Sequence, residues 1–178
     1  RTISVDTEQT ERQAELANET FTGLMPVEIG RPSSLYSSGI TGSAVHLMGM
    51  QELYLEMAVN PDAVHRLFTF LAEDNLALGQ WEEDQDLLTT NTDGHQGYCS
   101  GSSQFSDEAT VPTGKVASTD RWGYLESQES AGISADMFDE FLMPHFTQLA
   151  SKFKLMKFGC CEPVHDLMPL LQRLPALR

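Results

Sequence analysis

Positive charge is what this sequence has least of. Lys and Arg number 11 against 26 Asp and Glu, giving a formal net charge of −15. Binding to a phosphate backbone needs clustered Lys and Arg, so nucleic acid is not an expected partner. The same balance argues against an anionic membrane surface. Acidity of this kind bears on solubility and names no substrate. Long apolar runs are also missing. No stretch approaches the about 20 residues of a membrane span, and no signal peptide opens the chain. Cysteine is scarce: there are three, and two of them are adjacent. Adjacent cysteines rarely bridge, so no disulfide framework is visible and a reducing, cytoplasmic compartment is expected. No glycine-rich phosphate fingerprint follows a strand-like run, and no Gly-x-Ser-x-Gly elbow occurs.

What is present is an ordinary globular composition, 40% hydrophobic and 21% charged over 178 residues, the length of one domain. The first residue is Arg1 and the last five read Leu-Pro-Ala-Leu-Arg, so a central excerpt of something longer is expected. Thr7–Phe21 predicts a surface helix, with Thr7 as N-cap and Glu11 close behind. Met25–Ile29 alternates like a short strand, and Gly30–Ser43 reads as a loop. Leu47–Val59 has helical spacing. A second helix then starts at Asn60-Pro61 and carries an apolar stripe of Val64, Leu67, Phe68, Leu71, Leu76 and Leu78 to about Trp81. The acidic run Glu82–Asp86 reads as its solvated end.

Leu87–Asp93 and Trp122–Glu129 are β-favouring runs that end in polar groups, separated by a long Gly/Ser/Thr-rich segment, Gln96–Asp120. Ser134 caps a further helix that Pro144 should kink. Then come a strand ending at Phe158-Gly159 and a helix from about Pro163 to Leu174. Strands alternating with helices predict parallel βα units, about four strands in all, where a closed (β/α)8 barrel has eight.

Parallel strands gather their C-terminal residues at one end. That predicts a meeting of Asp93 and His95, of Glu126, Gln128 and Glu129, and of Cys160, Cys161, Glu162 and His165. Thiolate, imidazole and carboxylate together suit zinc, and a carboxylate or imidazole alone suits acid–base work. Each group has a structural alternative. The cysteine pair can simply pack. Glu126 or Glu129 can ion-pair with Arg121 or Lys157. His165 can cap a helix or bond to Asp166. His46 and His65 read as structural, Cys99 as a surface or packing residue of the long loop, and Trp122 as core or pocket wall.

Four segments carry a resemblance: NTDGH (91–95), WGYLESQE (122–129), ISADMFDEFLMPHF (133–146) and FGCCEPVHD (158–166). Together they resemble the uroporphyrinogen decarboxylase superfamily from about Thr7 to Arg178. The likeness is nearest to an anaerobic bacterial branch with a Gly-Cys-Cys-Glu-Pro strand end. The resemblance implies a (β/α)8 TIM barrel, of which this chain would cover roughly half. It also implies one of two chemistries. One is cofactor-free decarboxylation of uroporphyrinogen in haem biosynthesis. The other is zinc-dependent methyl transfer between a corrinoid on a partner protein and a small-molecule thiol. Methyltransferases of the family bind zinc through His-x-Cys at a strand end and a later Cys. Aligned that way, Cys161 supplies the thiolate, Gly159 stands where His is expected, and the later Cys would fall beyond Arg178. Glu126, Glu129, Cys160 or His165 would then have to complete the set. Methyl transfer is the favoured expectation. Tetrapyrrole decarboxylation, with Arg121 as the best visible anion partner, and a non-catalytic corrinoid- or tetrapyrrole-binding role are the alternatives.

Overall fold

Helices begin and end in this chain where short polar residues, glycine and proline stand. The structure, a computed structural model, describes residues 3–27, 29, 39–90, 113–159 and 161–178. These belong to two compact units, Arg1–Arg31 and Pro32–Arg178.

The first unit is built on α1 (Thr7–Phe21). Its N-cap is Asp6, not Thr7: Asp6 Oδ1 accepts from the Gln9 N–H at 2.8 Å. No residue of α1 is buried. The strand expected at Met25–Ile29 does not form in its described residues. The Leu24 and Met25 amides instead fold back onto the Phe21 carbonyl, at 2.9 and 3.3 Å, and Pro26 has no amide to offer a ladder.

The second unit opens with α2 (Ile40–Met48), α3 (Met50–Val59) and α4 (Pro61–Asp84). The expected loop to Ser43 and single helix from Leu47 are both corrected. The helix starts at Ile40, and a break falls at Gly49, whose φ of +88° belongs to glycine rather than to a continuing helix. Pro61 sits in the first turn of α4 as expected, but the Asn60 side chain makes no capping bond. Val64, Phe68 and Leu71 form the buried stripe. The acidic end of α4 is not merely solvated. Glu83 Oε2 accepts from the Ser118 N–H at 3.0 Å and from its hydroxyl at 2.8 Å. The strand expected at Leu87–Asp93 is absent from Leu87–Thr90, and 91–93 lie outside the described residues.

β1 (Trp122–Leu125), α5 (Ala135–Phe141), α6 (Met143–Ala150), β2 (Leu155–Phe158) and α7 (Met168–Leu171) complete the order. β1 is shorter than expected because the chain turns at Gln128–Ser130. The helix after Ser134 breaks at Leu142. Pro144, in the first turn of α6, has no N–H with which to reach the Glu140 carbonyl. The helix expected from Pro163 reduces to a 3-10 turn (His165–Leu167) followed by α7.

β1 and β2 pair in parallel, Trp122 opposite Leu155 and Leu125 opposite Phe158. On the far edge of β2 the chain end adds a parallel bridge, Met156 to Leu177. There the Met156 N–H donates to the Ala176 carbonyl at 2.8 Å, and the Arg178 N–H to the Met156 carbonyl at 3.0 Å. Among its described residues this unit is mixed helix with a small two-stranded parallel sheet. Among the described residues there are two strands where about four were expected. They neither establish nor contradict a (β/α)8 barrel.

One core joins α2 to α7. Phe138, Phe146 and Phe158 pack mutually with ring centroids 5.7–6.4 Å apart. Ile40, Leu53, Phe68 and Met156 close around them. Burying each such side chain contributes about 1.5–3 kcal/mol. Among the described residues, no helix is long and apolar enough to cross a membrane.

Candidate functional site

The exits of β1 and β2 lie side by side because the strands are parallel and in register. They are tied together twice. The Gly159 N–H donates to the Leu125 carbonyl at 2.9 Å, and the Ser127 N–H donates to Glu162 Oε1 at 2.9 Å. Ser127 is fully buried, so the carboxylate of Glu162 satisfies a backbone donor that water cannot reach. Glu126, half-buried, points its Oε2 at the amide of Gln128, 2.9 Å away. Glu126, Ser127, Gln128 and Glu162 therefore form one small polar patch across both exits.

Glu129 does not join it. Its Oε2 accepts from the Thr41 hydroxyl at 2.8 Å, and its backbone carbonyl accepts from the Tyr54 hydroxyl at 2.6 Å. The same hydroxyl accepts from the Gly132 N–H at 3.2 Å. A Cβ at Gly132 would stand 2.7 Å from the Tyr54 ring, so the turn after β1 is closed against α2 and α3. Glu129 is a staple between turn and helices.

On the β2 side, Cys161 is exposed. His165 is also exposed, with Nε2 3.4 Å from Asp166 Oδ2. Of the readings open for His165, the structure shows the contact with Asp166. Position 159, where the resemblance expects His, has φ +105°. Room exists, since an added Cβ would find only the Val164 Cγ1 at 3.9 Å, but that backbone conformation is one L side chains rarely adopt. The departure from His-x-Cys is thus built into the backbone.

Asp93, His95, Cys160 and Cys99 lie outside the described residues. Arg121 is buried, 1% exposed, and precedes β1, at the opposite end of the strand from the exits. It is not placed to receive an anion there. Lys157 Nζ lies over the Tyr124 ring, 5.4 Å from its centroid. His46 is in α2, not in a loop, its Nδ1 3.0 Å from the Gly42 carbonyl oxygen; His65 is in α4; Trp122 is core, as expected.

Among the described residues no group of three His, Cys, Asp or Glu side chains could hold a metal. The described donors have other partners: Glu129 has Thr41, Glu162 has the Ser127 amide, and His165 lies beside Asp166. The described donors alone do not make a zinc site, and Asp93, His95 and Cys160 lie outside the described residues.

Three residues that shape the exits were missed from sequence: Ser127 in the patch, and Thr41 and Tyr54 against Glu129 and the turn. Ser127 stood inside a segment read as strand, and Thr41 inside one read as loop. Tyr54 lies on a helix whose spacing marks it as amphipathic but gives no sign of its partner 75 residues away.

No family model matches this sequence, and no curated protein or solved structure matches it. The resemblance to the uroporphyrinogen decarboxylase superfamily therefore rests on the four segments alone.

Proposed function

We propose that the chain belongs to a uroporphyrinogen decarboxylase-superfamily enzyme working at the β1 and β2 exits in the cytoplasm. The proposed reaction is methyl transfer between a corrinoid on a partner protein and a small-molecule thiol or related acceptor. The observation that carries the proposal is the Ser127 N–H to Glu162 bond at 2.9 Å, which joins the two exits beside Glu126. Glu126 would take the acceptor's proton as its sulfur becomes the nucleophile, an acid–base role worth about 10²–10⁴ in rate. Glu162 would hold the two exits in register. The corrinoid would supply the methyl group. Zinc would have to draw on Cys161 together with Cys160, Asp93 or His95, and no step here passes through it.

Decarboxylation of an acidic tetrapyrrole is the weaker reading. Two carboxylates occupy the exits, and the buried Arg121 stands at the other end of β1.

The test presents the purified chain with methylcobalamin and a small thiol, and separately with uroporphyrinogen, alongside metal analysis. Loss of the cobalt–methyl absorbance, slowed at least about 100-fold in Glu126→Gln, is the expected result. Conversion of uroporphyrinogen instead would overturn the proposal in favour of decarboxylation. Corrinoid binding without turnover would overturn it in favour of a carrier or binding role. Stoichiometric zinc that is lost in Cys161→Ser would add a metal step. Its absence would confine the chemistry to acid–base groups.

A further inference from the structure

Two imidazoles sit crosswise on one helix seam. His65 of α4 stacks on Phe141 of α5, with ring centroids 4.5 Å apart and planes 17° from parallel. Three residues further along α4, Phe68 faces His145 of α6 at 6.2 Å and 38°. Each side of the seam thus contributes one imidazole and one phenyl ring. Phe68 and Phe141 are buried, at 0 and 2% exposure, and both histidines are half-buried. His65 has a carboxylate at hand, its Nε2 lying 3.4 Å from Glu140 Oε1.

We propose that His65 and His145 form an acid-sensitive latch that holds α5–α6 against α4, closed while His145 is neutral and loosened when His145 takes up a proton. The ionisable groups that can bear on His145 are those of the elements packed on α6. On α4 these are His65 and Glu73, which act on it by charge, and along the same helix Asp62, Arg66, Asp74, Glu82, Glu83 and Asp84. On α5 they are Asp136, Asp139, which pairs with Arg173, and Glu140, which meets His65. Tyr124 is the ionisable residue of β1, and α6 itself carries no other.

Burial, and then the charge of His65, hold the His145 pKa below its ordinary 6.5; Glu73 opposes them without prevailing. A His whose folded pKa is depressed takes up its proton more readily once the seam is open. The closed form therefore has its full advantage above pH 6.5 and loses it as the pH falls from there towards the folded pKa. What loosens is the layer that links the two exits. α5 follows the Gln128–Ser130 turn, and α6 leads into β2.

Amide hydrogen exchange of the full chain tests this at pH 7.5 and 5.5, corrected for the intrinsic pH dependence of exchange. Amides of α5, α6 and the first half of α4 should lose protection at the lower pH in the corrected rates. His145→Gln should abolish that loss. His65→Gln should reduce it by removing the second charge. Equal loss in both variants and in the parent chain would overturn the latch. If the variants fail to fold, the imidazole proton resonances of the parent chain decide. A His145 midpoint below 6.5 supports the latch, and a midpoint at or above 6.5 overturns it.

Discussion

The two strand exits are adjacent and carry similar residue types, yet the chain uses them in opposite ways. At the β1 exit the polar groups are absorbed by the scaffold. Glu129 is fixed to Thr41, its carbonyl to Tyr54, and the Ser127 amide to Glu162. At the β2 exit Cys161 and His165 stand in solvent. Position along a parallel strand therefore says where a polar residue will be, but not whether it acts or supports. Burial separates the two cases. A polar group out of contact with water has to be partnered, and a partnered group is held.

Substitutions should therefore cost stability where a polar group is partnered in the scaffold, at the β1 exit and at Glu162, and little at Cys161 and His165. The largest effect should come from β1 itself. A Cβ at Gly123 would meet Met156 Cε and Phe153 Cδ2 at 2.5 Å, so Gly123→Ala should cost about 1–3 kcal/mol by overpacking and lower the urea midpoint accordingly. A neutral result would mean that the strand is not packed as described. Tyr54→Phe removes two hydrogen bonds to the turn at about 0.5–1.5 kcal/mol each, so a loss of about 1–2 kcal/mol is expected in denaturant titration. Glu162→Ala leaves the buried Ser127 amide without its acceptor and should cost about 1–2 kcal/mol, with Glu162→Gln recovering much of it. Recovery by Gln is the sharper outcome, because it separates hydrogen bonding from charge. Cys161→Ser and His165→Ala should be the mildest, within about 0.5 kcal/mol. A large loss in either would erase the contrast and mark the β2 exit as structural too.

Legibility in the sequence followed the range of the interaction. The start of α4 was readable because Pro61 constrains its own backbone, and Ser134 because its hydroxyl caps an amide three residues on. The break at Gly49 was not, since helical spacing continues across it and only the backbone reveals φ +88°. Met25–Ile29 and Leu87–Thr90 had strand-like composition, but a strand needs a neighbour to bond with. Two residue patterns of the same kind, at Trp122–Leu125 and Leu155–Phe158, had one in each other. The bridge at Leu177 was invisible for the reverse reason, its pairing being set by Met156 and not by its own pattern.

The sequence by itself determined the acidic character, the start of α4 and the Ser134 cap, and the placing of Glu126 and Glu162 just past two strand-like runs. These follow from local conformation and from periodicities written in neighbouring residues. Only the tertiary structure decided that Glu129 is a staple, that Glu162 closes the two exits by accepting from Ser127, and that His65 and His145 face one seam. Each of those depends on a partner far away in sequence, and such a partner becomes available only when burial forces polar groups and rings to find one.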